Sequence, residues 1–177
     1  KPTIPRYCRV NRVIRDIPSS HVVEGNRRTS LGEDVRLELE KRGQQCRCIR
    51  CREVRKTVVD PGTLQLHDML YDAAFAEEHF ISFDTPADGL AGYLRLSLPA
   101  SVESIPAEMR IRGWIDFPDL QGAAIIREVH IYGQSLPVGE EQAGAAQHVG
   151  LGTALLEKAE HIALQKGFKK LAVISAI

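Results

Sequence analysis

Gln147-His148-Val149-Gly150-Leu151-Gly152 is the stretch on which the reading of this chain turns. It has the form Q-x-x-G-x-G and stands after an apolar, strand-like run and at the head of an amphipathic helix. Glycines there remove side chains that would block a pyrophosphate. The first helical amides are then able to donate hydrogen bonds, and the helix dipole favours negative charge. The competing reading is of ordinary loop glycines beside a solvated glutamine. The order strand, motif, helix, strand favours a phosphorylated cofactor. A dinucleotide fingerprint fits worse, because G-x-G-x-x-G is absent and no tight strand-to-helix turn precedes the glycines.

Outward from the motif, Ala124 to Tyr132 reads as a strand, Gly133 to Ala146 as a long polar loop, and Gly150 to Lys166 as a helix closed by Gly167. Leu155, Ala159, Ile162 and Ala163 form its buried stripe, and Lys170 to Ser175 is a final apolar strand. Upstream, Leu90 to Leu98 alternates, with Leu90, Gly92, Leu94, Leu96 and Leu98 on one face and Tyr93 and Arg95 on the other. Leu64 to Tyr71 and Glu78 to Phe83 complete the strands. Asp84 to Gly89 is a hairpin connection, Pro61-Gly62 a turn, and residues 99 to 122 are irregular or a short helix. Glu53 to Asp60 is expected to be extended. Ser30-Leu31-Gly32-Glu33 has the S-x-x-E form of a capping box. It predicts a helix over 31 to 42, with Leu31, Val35 and Leu39 on one side and Gly43 as terminator.

The formal net charge is zero, but residues 1–56 hold 15 Lys and Arg against 7 Asp and Glu, so +8, and the remainder is −8. Such a split suggests a basic module facing a polyanion beside an acidic one. The length and apolar content suit one globular domain with a smaller appended unit, divided as residues 1–56 and 57–177. No stretch reaches the length of a membrane span, and neither an initiator Met nor a signal block opens the chain. The expectation is a cytoplasmic protein, membrane-free and cut at its front. Cys46, Cys48 and Cys51 form C-x-C-x-x-C, three soft thiolates at a spacing that suits tetrahedral Zn²⁺. Three unligated thiols in a basic loop is the plainer alternative. A fourth ligand is required, with Cys8 the first candidate and His21 or His67 the second.

Q-x-x-G-x-G in this setting resembles motif A of the GNAT superfamily, whose members bind acetyl-CoA with the pyrophosphate on this loop. The resemblance implies a GNAT fold of the α/β (α+β) class, a mixed, mostly antiparallel sheet with flanking helices. It is incomplete at its C-terminus and follows a small zinc-stabilised linker module. It also implies that acetyl-CoA contacts Glu128, Val129, His130 and Ile131 on the preceding strand. Gln147, His148, Val149, Gly150, Leu151, Gly152 and Thr153 follow on the loop and first helical turn.

The likeness narrows when four stretches are read together: Arg12 to Pro18 (RVIRDIP), Cys51 to Val54 (CREV), Arg127 to Gly133 (REVHIYG), and Gln147 to Gly152. They resemble the catalytic subunit of Elongator, especially its free-standing bacterial and archaeal form, a tRNA wobble-uridine acetyltransferase. That family joins a radical S-adenosylmethionine domain with a 4Fe-4S cluster to an acetyltransferase domain, so neither S-adenosylmethionine nor the cluster is expected on this chain. The resemblance implies an acetyl-CoA-dependent module that acts with the missing radical domain on carbon 5 of wobble uridine. The tRNA anticodon region would be its partner, and Arg6, Arg9, Arg12, Arg15, Arg27 and Arg28 its phosphate contacts. The zinc cluster matches the family's linker site. The family continues into a tyrosine-bearing segment that this chain lacks, so the isolated fragment is expected to be inactive on tRNA.

Glu128 is the candidate general base. Arg127 and Glu128 are expected on opposite faces of the strand, leaving one of them structural. His130 carries the same ambiguity. Two other functions stand against the tRNA reading: a protein lysine acetyltransferase of the histone type, and a noncatalytic zinc-stabilised RNA-binding module. Oligomeric state is not legible.

Overall fold

A computed structural model describes residues 3–11, 19–25, 31–55, 57–105, 117–133 and 150–175. They fall into two compact units, Lys1–Glu53 and Val54–Ile177.

In the first unit, α1 spans Leu31–Lys41 and the single turn α2 spans Ile49–Arg52. α1 ends as its sequence predicts: Gly43 takes a positive φ of 63°, and the Gln44 amide reaches back to the Leu39 carbonyl at 2.8 Å, a Schellman closure. Ser30 of the capping box lies outside the described residues, and Glu33 pairs instead with Arg36. None of the residues of α1 is buried. The buried residues described in this unit are Cys48, Ile49 and Arg52, all at the cysteine knuckle.

The second unit is built on one five-stranded sheet: β1 Gln65–Ala73, β2 Ala76–Asp84, β3 Leu90–Pro99, β4 Ala123–Ile131 and β5 Lys170–Val173, adjacent in that order. The junctions are antiparallel except β4–β5, which is parallel and is bridged by α3, Leu151–Gln165. A parallel neighbour needs a crossover, and the helix read from the 3.6-residue period supplies it. This is the mixed, mostly antiparallel sheet with flanking helix expected from the sequence. Glu53 to Asp60 departs from expectation. Arg55 adopts a positive φ of 51°, the Thr57 amide bonds the Val54 carbonyl at 2.9 Å, and the segment turns rather than extends.

One face of α3 packs on one face of the sheet. Leu155, Ala159, Ile162 and Ala163 meet Ile81, Leu94, Leu96, Leu98, Ala124 and Ile126, the alternation of β3 having put its leucines on that side. Gly167, at φ 86°, closes the helix with Phe168 bonding back to Ala163 at 2.9 Å. Leu155 has no exposed surface, so Leu155→Ala is expected to lower the unfolding free energy by about 3 kcal/mol. Urea denaturation followed by circular dichroism measures it, and a loss under about 1 kcal/mol would show that this core is loosely packed. Among the described residues no helix is long and apolar enough to cross a membrane.

Candidate functional site

The site grows from a change in how β4 is paired. Along its first half β4 is flanked on both sides, by β3 and by β5, the latter pairing from Ala123↔Lys170 to Ile126↔Val173. A last bond, from the Ile174 amide to the Ile126 carbonyl at 3.0 Å, ends that ladder. The β3 side continues to Gly92↔Ile131. From Arg127 to Ile131, therefore, one edge of β4 has no strand beside it among the described residues. Unpaired strand amides and carbonyls are a template for an extended partner with amide groups of its own.

α3 begins at the far end of that open edge. Gly150 is its N-cap in the left-handed region, φ 72°, and has no side chain with which to cap the first amides. The first turn, Leu151, Gly152 and Thr153, thus presents N–H groups that the N-cap residue does not cap, and the positive end of the helix dipole. Leu151 contributes only its backbone, because its side chain is buried against Val54, Val59 and Ala91. Among the described residues, a methyl group built on Gly152 would come no nearer than 3.9 Å, to Ile131 Cγ1. The packing of the described residues does not require glycine at 152, and Ile131 lies beside the helix start. Gln147, His148 and Val149 lie outside the described residues. Val129 and Ile131 turn their side chains into the core, so what they offer a ligand is backbone.

Glu128 sits where β4 carries an extra residue. Arg95 pairs with Glu128 and Leu96 with Ile126, leaving Arg127 as a bulge. The bulge overturns the expectation that Arg127 and Glu128 face opposite ways. Arg127 reaches Glu78 at 3.3 Å, and Glu128 meets Arg95 at 2.5 Å, all on the face of the sheet away from α3. Glu128 also accepts a hydrogen bond from the buried Tyr93 hydroxyl at 2.8 Å, and its Oε2 lies 3.1 Å from His130 Nε2. Burial opposes the charged form of Glu128, but Tyr93, Arg95 and His130 outweigh it and hold the carboxyl below its usual range. Burial, and then the hydrogen bond to Glu128, pushes the Tyr93 phenol well above its usual range, so it stays a donor. Arg95 is itself placed by the Tyr71 hydroxyl at 3.2 Å and lies over the rings of Phe80 and Tyr93. Sequence patterning marks Glu128 and the polar face of β3. It misses Tyr71, Glu78, Tyr93 and Arg95 as one network, since only strand register brings them together.

In the first unit the Sγ atoms of Cys46, Cys48 and Cys51 lie within 4.8 Å of one another. A tetrahedral zinc with Zn–S bonds near 2.3 Å places its sulfurs roughly 3.8 Å apart, so the cluster fits such an ion. Burial opposes ionisation of Cys48, but N–H groups of Val10 and Cys51 and the thiols of Cys46 and Cys51 aim at its sulfur and lower its pKa. Cys51 is pushed up to about 12 by desolvation and by its two neighbours, a crowding of negative charge that a bound dication relieves. Cys8, His21 and His67 are not in the cluster. Cys8 lies beside it through its carbonyl, which accepts from the Ile49 amide at 2.9 Å.

Of the six arginines expected to meet phosphate, Arg12, Arg15, Arg27 and Arg28 lie outside the described residues. Arg6 is half-buried. Arg9 is in an ion pair with the mostly buried Glu53 at 2.5 Å, so its charge is already committed to the fold of this unit.

No family model matches the chain. It is 38% identical over 181 residues to a tRNA uridine(34) acetyltransferase of Dehalococcoides mccartyi, covering all of this chain and 37% of that protein. A tRNA uridine(34) acetyltransferase of Methanocaldococcus jannaschii is 34% identical over 186 residues, covering all of this chain and 32% of that protein. Human Elongator complex protein 3 is 36% identical over 180 residues, covering 98% of this chain and 31% of that protein. Among solved structures, the archaeal Methanocaldococcus infernus Elp3 with an N-terminal deletion superposes with a TM-score of 0.74 at 32% identity. That match covers 98% of this chain and 40% of that one. The chain spans about a third of the length of the curated relatives it matches.

Proposed function

This chain belongs to the family of the tRNA uridine(34) acetyltransferases and Elongator complex protein 3, and on that premise we propose that it is the acetyl-CoA-binding acyltransferase module of a tRNA-modifying enzyme. One observation carries the reading: the edge of β4 is released after Ile126 and leads to the uncapped first turn of α3. The pantetheine arm, which has amide groups of its own, lies along Glu128, Val129, His130 and Ile131. The pyrophosphate rests on the amides of Gly150 to Thr153, with Gln147, His148 and Val149 completing the loop. Amides of the open edge near the thioester carbonyl stabilise the negative charge that develops there.

In this proposal the acceptor is carbon 5 of wobble uridine in the tRNA anticodon region, made reactive by a radical S-adenosylmethionine domain with a 4Fe-4S cluster elsewhere in the enzyme. The chain alone is then inactive on tRNA. Basic residues of the first unit, with Arg6, Arg12, Arg15, Arg27 and Arg28 foremost, meet the phosphates. Cys46, Cys48 and Cys51 hold a structural Zn²⁺ with one further ligand, for which the adjacent Cys8 is the first candidate. The enzyme works in the cytoplasm, where tRNA is modified.

Release of free CoA by the full-length protein, with tRNA, with a histone-tail peptide and with neither, tests the reading. Stimulation by tRNA is expected. Charge reversal at Arg12 and Arg15 should weaken tRNA binding about tenfold at moderate salt and flatten the log–log salt slope by about two. Stimulation by the peptide alone points to a protein lysine acetyltransferase. Zinc and RNA binding without any acetyl-CoA binding points to a noncatalytic RNA-binding module.

A further inference from the structure

We propose that His130 is the proton acceptor in acyl transfer and that Glu128 is a positioning residue that fixes its tautomer. The inference rests on acetyl-CoA lying along β4 as proposed above. Glu128 is poorly suited to be the base: its carboxylate already serves Arg95, Tyr93 and His130. An ionised carboxylate only accepts hydrogen bonds. The His130 nitrogen facing it, Nε2, therefore carries a hydrogen, and in the neutral ring this leaves the lone pair on Nδ1.

The ring is held as well as oriented. It packs against Tyr93, with centroids 5.1 Å apart, and against Tyr132, stacked at 6.4 Å and 9°, the two tyrosine rings standing 6.2 Å from each other. Yet its side chain is 50% exposed, against 35% for Glu128 and 14% for Arg95. Of these three side chains His130 is the most exposed, and it lies on the open stretch of β4. Glu128 supports the imidazolium once formed, in the way a carboxylate backs a catalytic histidine.

Where no activated uridine is supplied, water is the acceptor: Nδ1 takes a proton from it as its oxygen bonds to the thioester carbonyl carbon. The C–S bond then breaks, and His130 returns the proton to the departing thiolate. Acetyl-CoA and water give CoA and acetic acid, which releases its proton to solvent as acetate, with no change of oxidation state.

Single-turnover CoA release by the full-length protein with tRNA, at saturating acetyl-CoA, is the test. His130→Ala should lower the rate at least about 30-fold while the Kd for acetyl-CoA stays within about threefold. His130→Gln, which keeps a side chain against the two tyrosines, should lose as much. Added imidazole should restore several-fold activity to His130→Ala and none to His130→Gln, whose side chain fills the gap. Glu128→Gln retains an oxygen that accepts from Nε2 and should lose less than tenfold. If His130→Ala stays within twofold of wild type, or Glu128→Gln is as damaging as His130→Ala and imidazole rescues nothing, the assignment is overturned. In that case acetyl-CoA binding by the wild type leaves the function standing. A wild-type protein that does not bind acetyl-CoA removes both.

Discussion

Gly152→Asp raises the Kd for acetyl-CoA at least about 300-fold, roughly 3.4 kcal/mol, and leaves the thermal midpoint unchanged or slightly higher. The two halves of this expectation have separate causes. For the described part of the fold the substitution is expected to be harmless: residue 152 has no positive φ, the nearest atom of the described residues to a built Cβ is 3.9 Å away, and Asp replaces a poor helix former. A carboxylate in the first helical turn also complements the dipole, a gain of a few tenths to about 1 kcal/mol. For the ligand the same carboxylate occupies the space of the pyrophosphate, accepts the amides meant for it and repels it. Gly150 is the less informative position, because its φ of 72° makes any side chain costly whether or not a ligand binds. Titration calorimetry beside a thermal melt reads both quantities. An unchanged Kd would place the cofactor elsewhere, and a collapsed melt would make Gly152 a structural residue.

If Cys46, Cys48 and Cys51 hold Zn²⁺ as proposed, chelating it, or replacing Cys48 by Ser, is expected to unfold the first unit and leave the second intact. The described residues of the first unit bury almost nothing apolar beyond Cys48 and Ile49, and α1 has no buried residue. Along α1 and just after it, Arg36 pairs with Glu33 and Glu40, and Arg42 with Glu38, on the surface, and such pairs contribute little. What holds residues 8–11 to the knuckle is the Cys8–Ile49 backbone bond, the Arg50–Asn11 contact and the Arg9–Glu53 ion pair. All of them depend on the turn that the cysteines shape. A structural Zn²⁺ supplies on the order of 10 kcal/mol to modules of this kind. Zinc content should fall from one per chain to near zero in Cys48→Ser, and the same substitution at Cys8 decides whether Cys8 is the fourth ligand. Hydrogen exchange should show protection lost over residues 8–11 and 49–53 and retained along β2, β3 and α3. Full protection after chelation would mean that the cysteines are ordinary thiols.

The local parts of this protein are legible in its amino-acid sequence. The alternation of β3, the 3.6-residue stripe of α3, the glycine stops at 43 and 167 and the crowding of three cysteines are each written within a few consecutive residues. Period and turn chemistry act at that range. The glycines of the Q-x-x-G-x-G stretch belong to the same class, and with them the family resemblance.

What the tertiary structure alone decided is how distant segments register. The bulge at Arg127 exists because β3 and β4 must pair on both sides of it, and it turns Arg127 and Glu128 to one face where strict alternation predicts two. Tyr93 and Arg95 stand more than thirty residues from Glu128, and no periodicity within either strand encodes their meeting. The end of the β4–β5 ladder at Ile126 is likewise a property of two strands and not of one. Arg9 reads as a free cation in the sequence and is committed to Glu53 in the fold. Sequence patterns act over a few residues and therefore fix the elements. The pairing of elements sets which side chains share a face and which backbone groups remain open, and the chemistry of this site depends on both.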